Sequence, residues 1–253
     1  MEYNERIRAC DNLEDLLKIW EHKPSMEISY LKGKEEICQT INHQSDYFIE
    51  DGIVNDEVWR SGKKKRILFV LKEAYGEDWG SYTLATWLRD IHPTHRMWKR
   101  VARWVYGIQN TTTVSMARYI PELSNELHGE CLEQIAVLNL KKSGGESRSD
   151  YGEIDAYARS DREEIKKEFS LIDADIVVCG STFKTLLHEV FEQPELGEKT
   201  VCDNWYYYMN LDGKERLYID SYHPANQWPD LMNYYTITAI YQQALIEKEQ
   251  SRI

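Results

Sequence analysis

The sequence predicts an α/β fold: a three-layer α/β/α sandwich on a central, mostly parallel four-stranded sheet, with a helical N-terminal lead-in. Three observations predict it. Four short apolar runs read as strands covered on both faces: "ILFVL" at 67–71, "IAVLN" at 135–139, "DIVVCG" at 175–180 and "RLYIDSYHP" at 216–224. Segments with helical spacing separate them, which is the pattern of βαβ units with right-handed crossovers. A chain of 253 residues is long enough to cover such a sheet within one large domain.

Residues 1–60 read as the lead-in, packed on a core domain of 61–253. Within it "DNLEDLLKIWEH" offers an Asp or Asn cap before Leu13, Leu16, Leu17 and Trp20 at helical spacing. "YFIEDGIVNDEVW" then turns the chain toward the basic "SGKKKR" and the first strand. "SYTLATWLRDI", "MWKRVARWVYGI" and "EIDAYARSDREEIKKEFSLI" are the helical patterns between strands, and "FKTLLHEVF" and "LMNYYTITAIYQQALIEKE" supply further covering helices. "NWYYYMNLDGKERLYID" reads as a hairpin turning at Asp212-Gly213, which adds an antiparallel member beside the fourth strand.

No apolar run approaches the roughly 20 residues of a membrane helix, and the start "MEYNERIRACDNLEDLL" carries acids where a signal peptide has basic and then apolar residues. A soluble, cytoplasmic protein without a membrane partner is expected. Cys10, Cys38, Cys131, Cys179 and Cys202 are scattered, with no CxxC pair, so neither a metal site nor another cofactor is expected. A net charge of −12 excludes a protein that coats nucleic acid by bulk attraction. A local basic surface remains open. Between Asp90 and Glu122 there is no acid, while Arg96, Lys99, Arg100, Arg103 and Arg118 alternate with His92, His95, Trp98, Trp104 and Tyr106. Such a mixture suits a polyanion with stackable bases, or it is an amphipathic helix with its cations on a wet face.

In a parallel sheet every strand ends on one edge, so the residues that follow the strands converge in a crevice. Here these are Glu73 to Gly76, Asn139 to Lys142, Gly180 to Thr182 and His223 to Asn226. Each also has a purely structural explanation: Glu73 as a helix-start acid, Asn139 as a turn former, Gly180-Ser181 as a strand end and helix cap, His223 as a loop residue held extended by Pro224.

In these motifs the chain resembles the uracil-DNA glycosylase superfamily. "KEAYGED" resembles the Gly-Glu-Ala-Pro-Gly motif of the thermophilic branch at Glu73, Ala74 and Gly76. "IAVLNLKK" is similar to that branch's strand ending in Thr-Asn, "VVCGSTF" to its late strand-glycine turn, and "DSYHPAN" to its His-Pro-Ser-Pro motif. The resemblance spans roughly residues 65–230 in the same order. Lys72 stands in place of a glycine, Tyr75 of a proline and Ala225-Asn226 of Ser-Pro, and the iron–sulfur cysteines of that branch have no counterpart.

The resemblance implies hydrolysis of the N-glycosidic bond of a pyrimidine, modified ones included, in DNA. Glu73 orients water and offsets charge on the sugar, Asn139 holds the base edge, and a neutral His223 donates to the leaving base's oxygen. Tyr75, Trp79, Tyr82 and Ala74 are the base-binding candidates, and Lys141, Lys142, Arg148 and Ser181 the phosphate-binding ones. The expected partner is single-stranded or mismatched DNA, met by a monomer. An N-glycosidase of free nucleosides or nucleotides and a catalytically silent nucleic-acid or nucleotide binding module are the alternatives. Lys72 bears on the latter, because its side chain can fill the pocket or pair with Glu73.

Overall fold

The computed structural model describes residues 2–45, 47–76, 82–145, 148–195 and 205–251. The lead-in begins with helices α1 (Tyr3–Ala9) and α2 (Leu13–Glu21). Asn12 caps α2 by accepting from the Asp15 N–H at 2.9 Å, and Leu16, Leu17 and Trp20 are its buried stripe. Between residues 26 and 53 the lead-in departs from the expectation of helices. Met26–Lys32 (β1) and Glu35–Ile41 (β2) form an antiparallel hairpin, with Ile28 and Ile41 packed on Ala156 and Tyr157. Its polar residues alternate with apolar ones at period two, as a half-buried strand requires. The lead-in also joins the main sheet, because the two residues of β3 (Gly52–Ile53) pair antiparallel with Val137 and Ala136.

The main sheet comprises β3, β4 (Ile67–Tyr75), β5 (Ile135–Gly145), β6 (Ile176–Gly180), β7 (Tyr206–Asn210) and β8 (Glu215–Ser221), in the spatial order β3-β5-β4-β6-β8-β7. The four strands foreseen from the apolar runs are mutually parallel. Both edges are antiparallel, so the sheet is mixed and six-stranded, not four-stranded. The β7–β8 edge is the hairpin expected at Asp212-Gly213, where Gly213 takes φ +93°.

Alternation along the central strands feeds two separate cores. Ile67, Phe69, Leu71, Val137, Val178 and Ile219 face a layer with helices α4 (Leu84–Ile91), α5 (Arg96–Asn110), α6 (Asn125–Glu133) and α10 (Asp230–Gln250). Leu68, Val70, Leu138, Val177, Cys179 and Tyr218 face α2, α3 (Asp56–Arg60), α7 (Tyr151–Ser160), α8 (Arg162–Ile172) and α9 (Phe183–Thr185), the last continuing as a π turn over Leu186–Val190. Among the described residues no helix is long and apolar enough to cross a membrane.

Two strands outrun the rest. Pairing of β4 with β6 stops at Val70↔Cys179, whereas its pairing with β5 continues to Tyr75↔Gly145. The strand order turns back at β4, which lies between β5 and β6. The β4–β5 overhang therefore projects from the C-terminal edge at the topological switch point, where open α/β sheets hold ligands.

Candidate functional site

Glu73 lies within the overhanging strand and not after it. Pairing with β5 shifts register between Glu73 and Tyr75, and such an irregularity re-aims side chains. Glu73 and Ala74, consecutive in the chain, consequently line one cavity of ≈ 320 Å³ together with Leu71, Tyr75, Tyr82, Leu84, Trp87, His95, Met97, Trp98 and Asn139. The overhang closes tightly. A Cβ on Gly76 would come within 2.7 Å of the Gly144 Cα, and one on Gly145 within 2.4 Å of the Glu73 side chain, so glycine at 145 leaves the room that the Glu73 carboxyl occupies. Glu73 Oε2 is 3.1 Å from Lys141 Nζ, which also meets Glu153 Oε1 at 2.9 Å. Burial opposes the charge on Lys141, but Glu73 and Glu153 outweigh it and hold its pKa above the ordinary value.

Asn139, 2% exposed, lines the same cavity from the neighbouring strand β5. Asp51 Oδ2 accepts both from its backbone N–H, at 2.6 Å, and from its side-chain Nδ2, at 3.0 Å. Its Oδ1 is buried and has no hydrogen-bond partner among the described residues. An unpaired buried acceptor costs free energy unless a ligand supplies the donor.

His223 follows β8. Its backbone N–H donates to Ser181 Oγ at 2.9 Å, and its Nδ1 accepts from the Ala225 N–H at 3.2 Å, which leaves the proton of the neutral ring on Nε2. Burial and the Lys72 ammonium lower its pKa to about 4. A Cβ on Gly180 would lie 2.8 Å from Leu71 Cδ2, 3.2 Å from Pro224 Cδ and 3.6 Å from the His223 Cα. Glycine at 180 thus lets the His-Pro segment settle against β6 beside Leu71, a wall residue of the cavity. Glu73 and Asn139 share the cavity wall; Gly180 and His223 stand next to it but are not among its lining residues.

The basic stretch in α5 is split between the surface and the interior: Arg96 and Lys99 are exposed, while Arg100 and Arg103 turn inward. Arg100, 1% exposed, donates to Pro224 O at 2.6 Å, Asn226 O at 2.9 Å and Trp228 O at 3.0 Å and pairs with Asp230. Arg103 meets the same carboxylate at 3.1 Å. These guanidiniums clamp the loop that carries His223. Lys99 and Arg118 are exposed, as a wet face requires, while Trp98 and Trp104 are buried.

Two of the phosphate-binding candidates are corrected. Lys142 is fully enclosed, its ammonium committed to Asp51 and to Glu168 at 2.7 Å. Lys141 is 6% exposed and held by two carboxylates. Neither can reach a backbone phosphate. Ser181 Oγ accepts from the His223 N–H, and the residue lines a second cavity of ≈ 370 Å³ whose walls carry both acids (Asp155, Glu189, Asp220) and bases (Lys184, His188). Arg148 is exposed. Tyr75 and Tyr82 line the main cavity, Tyr82 donating to Tyr75 O at 3.1 Å. Trp79 lies outside the described residues, as does Cys202. Lys72 neither fills the cavity nor pairs with Glu73: its Nζ lies 4.6 Å from the centroid of the Tyr151 ring.

Sequence reasoning missed Asp51, Arg100's grip and the Gly144-Gly145 pair. The glycines were the one readable signal, since "SGG" directly after an apolar strand marks a close backbone approach. Among the described residues no group of three or more His, Cys, Asp or Glu side chains is placed to hold a metal ion. No model of a known protein family matches the chain, and no curated protein matches it either.

Proposed function

We propose that the cavity beside the β4–β5 overhang receives a pyrimidine base, and that the chain is a divergent member of the uracil-DNA glycosylase superfamily with its three-layer α/β/α arrangement. The activity is hydrolysis of the N-glycosidic bond of a pyrimidine, modified ones included, in single-stranded or mismatched DNA, by a cytoplasmic monomer. The observation that carries this is the buried, unpartnered Asn139 Oδ1 on the same cavity wall as Glu73, among Tyr75, Tyr82, Trp87 and Trp98. A fixed acceptor suits a ring N–H, and aromatic walls suit a flat base drawn out of its strand. The volume of ≈ 320 Å³ falls in the range of about 300–1,000 Å³ found for small-ligand sites.

In the reaction the bond from the sugar C1′ to the base nitrogen breaks with its electron pair passing to the base, and water adds to C1′. Glu73 orients that water, takes its proton and offsets the developing positive charge on the sugar. Asn139 holds the base edge. His223, neutral with its proton on Nε2, donates to the oxygen on which the base's negative charge gathers. The contact between Glu73 and Lys141 favours a second reading, a base-binding module without catalysis, because Lys141 already occupies the carboxylate that would have to orient the water.

Abasic-site formation on single-stranded and mismatched DNA carrying uracil or a modified pyrimidine, run beside free nucleosides, separates the two. The expected result is release from DNA that slows by about a hundredfold or more in Glu73→Gln with DNA binding nearly intact. Asn139→Ala is expected to weaken binding by about 1–3 kcal/mol. Release from nucleosides alone would identify a nucleosidase, and base binding without release would identify the silent module. A protein that neither binds nor releases any pyrimidine refutes the proposal.

A further inference from the structure

Beneath the cavity lies a buried cluster that the reaction does not use. Asp51 is 4% exposed and stands at the edge of β5, next to the two-residue strand β3. One of its carboxylate oxygens accepts from both nitrogens of Asn139, and the other meets Lys142. Lys142 in turn contacts Glu168 at 2.7 Å, and neither side chain of that pair is exposed at all. We propose that Asp51 is a positioning residue that fixes the polarity of the Asn139 amide, so that its oxygen and not its NH₂ group faces an incoming base. The identity of the ligand rests on the base-site reading above; the locking of the amide does not.

A carboxylate only accepts hydrogen bonds. Turning the Asn139 amide over would bring Oδ1 against Asp51 Oδ2, two acceptors in contact where water does not reach. The same turn would leave a charged acceptor short of a donor, which is among the costlier losses in a protein interior. The orientation seen leaves Oδ1 unpartnered instead. Opposite that atom an edge with a ring N–H, as in uracil, finds its acceptor, whereas cytosine presents a bare ring nitrogen and meets repulsion. β3 gains a role from this. Its pairing with Val137 and Ala136 brings Asp51 to the backbone N–H of Asn139, and Gly52 takes the φ of +116° that the turn into the pairing needs.

The neighbouring ionisable groups make a clean variant possible. Burial, and then the Asp51 charge, push the Glu168 carboxyl well above its ordinary range. In Asp51→Asn, Glu168 is free to ionise against Lys142, so the buried charges still balance. The new amide can face either atom of Asn139.

The test reads two quantities. Hydrogen exchange of the Asn139 side-chain amide, followed by NMR without ligand, is expected to be at least about tenfold slower than for an exposed asparagine, as a buried hydrogen bond to a carboxylate requires. Exchange at the exposed rate overturns the proposal, whatever the variants do. Free uracil and cytosine are then titrated into the wild type, Asp51→Asn and Glu168→Gln. The preference for uracil is expected to fall about tenfold in Asp51→Asn and to stay within about twofold in Glu168→Gln, which keeps both bonds from Asn139 to Asp51. An equal fall in both variants would mean general loosening of the core, and an unchanged preference in Asp51→Asn would mean that Asp51 does not set polarity; either overturns the proposal. A wild type that binds neither base counts against the base-site reading, while the exchange measurement still decides the role of Asp51.

Discussion

His223 is opposed in taking up a proton by its burial and by the Lys72 ammonium, and the two together bring its pKa from 6.5 to about 4. The neutral ring with its proton on Nε2 is therefore the form present down to about pH 4. Base release that depends on this donor should stay level as pH falls through 6.5 and decline only near 4, as far as His223 sets it. In Lys72→Met one of the two causes is removed, so the acid limb of the pH–rate profile should move up toward 6.5; a limb that does not move would show that the Lys72 charge is not felt at His223. Stability has its own sign. Between 6.5 and about 4 the unfolded chain takes up a proton that the folded His223 refuses, so stability falls with falling pH across that window. Glu73, Asn139 and His223 were legible as candidates because residue type and strand-end position coincide in the sequence. Asp51 was not, since it lies 88 residues from Asn139 along the chain and its role exists only through the contact.

α5 is amphipathic, but Arg100 and Arg103 turn inward to hold the segment between β8 and α10. Arg100 makes hydrogen bonds to three carbonyls of residues 224–228 and pairs with Asp230 at the start of α10. Arg100→Gln should cost about 3 kcal/mol in urea unfolding, near the low end for breaking a buried pair because Asp230 is partly exposed. Lys99→Ala, one residue away and exposed, should change stability by less than about 0.5 kcal/mol. Equal effects would show that the helix, and not the clamp, is what Arg100 supports. The central strands were legible from their apolar runs, but their full length was not. Residues 72–75 and 140–145 mix charge, serine and glycine, which reads as loop, and only the mutual pairing of β4 and β5 makes them strand. The β1–β2 hairpin escaped for a similar reason: Lys32 and Glu35 interrupt its buried face at the turn, and Leu31 and Cys38 stand on the exposed face, which blurs the period of two in the sequence.

The whole molecule carries a net charge of −12, and the structure lowers the number of cations available to a polyanion further. Lys141, Lys142, Arg100, Arg103, Arg66 and Arg216 are each engaged by carboxylates of the same chain. The sequence showed how many cations there are, not that these ones face inward, since pairing is decided by the tertiary fold. Lys99, Arg118 and Arg148 are exposed. If those three contact phosphates of a single strand, each contributes roughly −0.7 to the slope of log affinity against log salt, so a total near −2 is expected. Binding of an oligonucleotide should therefore be modest, and should lose about a factor of fifteen to twenty between 50 and 200 mM salt. Replacing Arg148 with Ala should shallow the slope by about one third, while Lys142→Met, which removes a cation that never reaches the surface, should leave the slope unchanged even if it lowers stability. A slope that changes with Lys142 but not with Arg148 would mean that the strand runs through the interior of the β4–β5 overhang, and the cavity would then have to be an open channel.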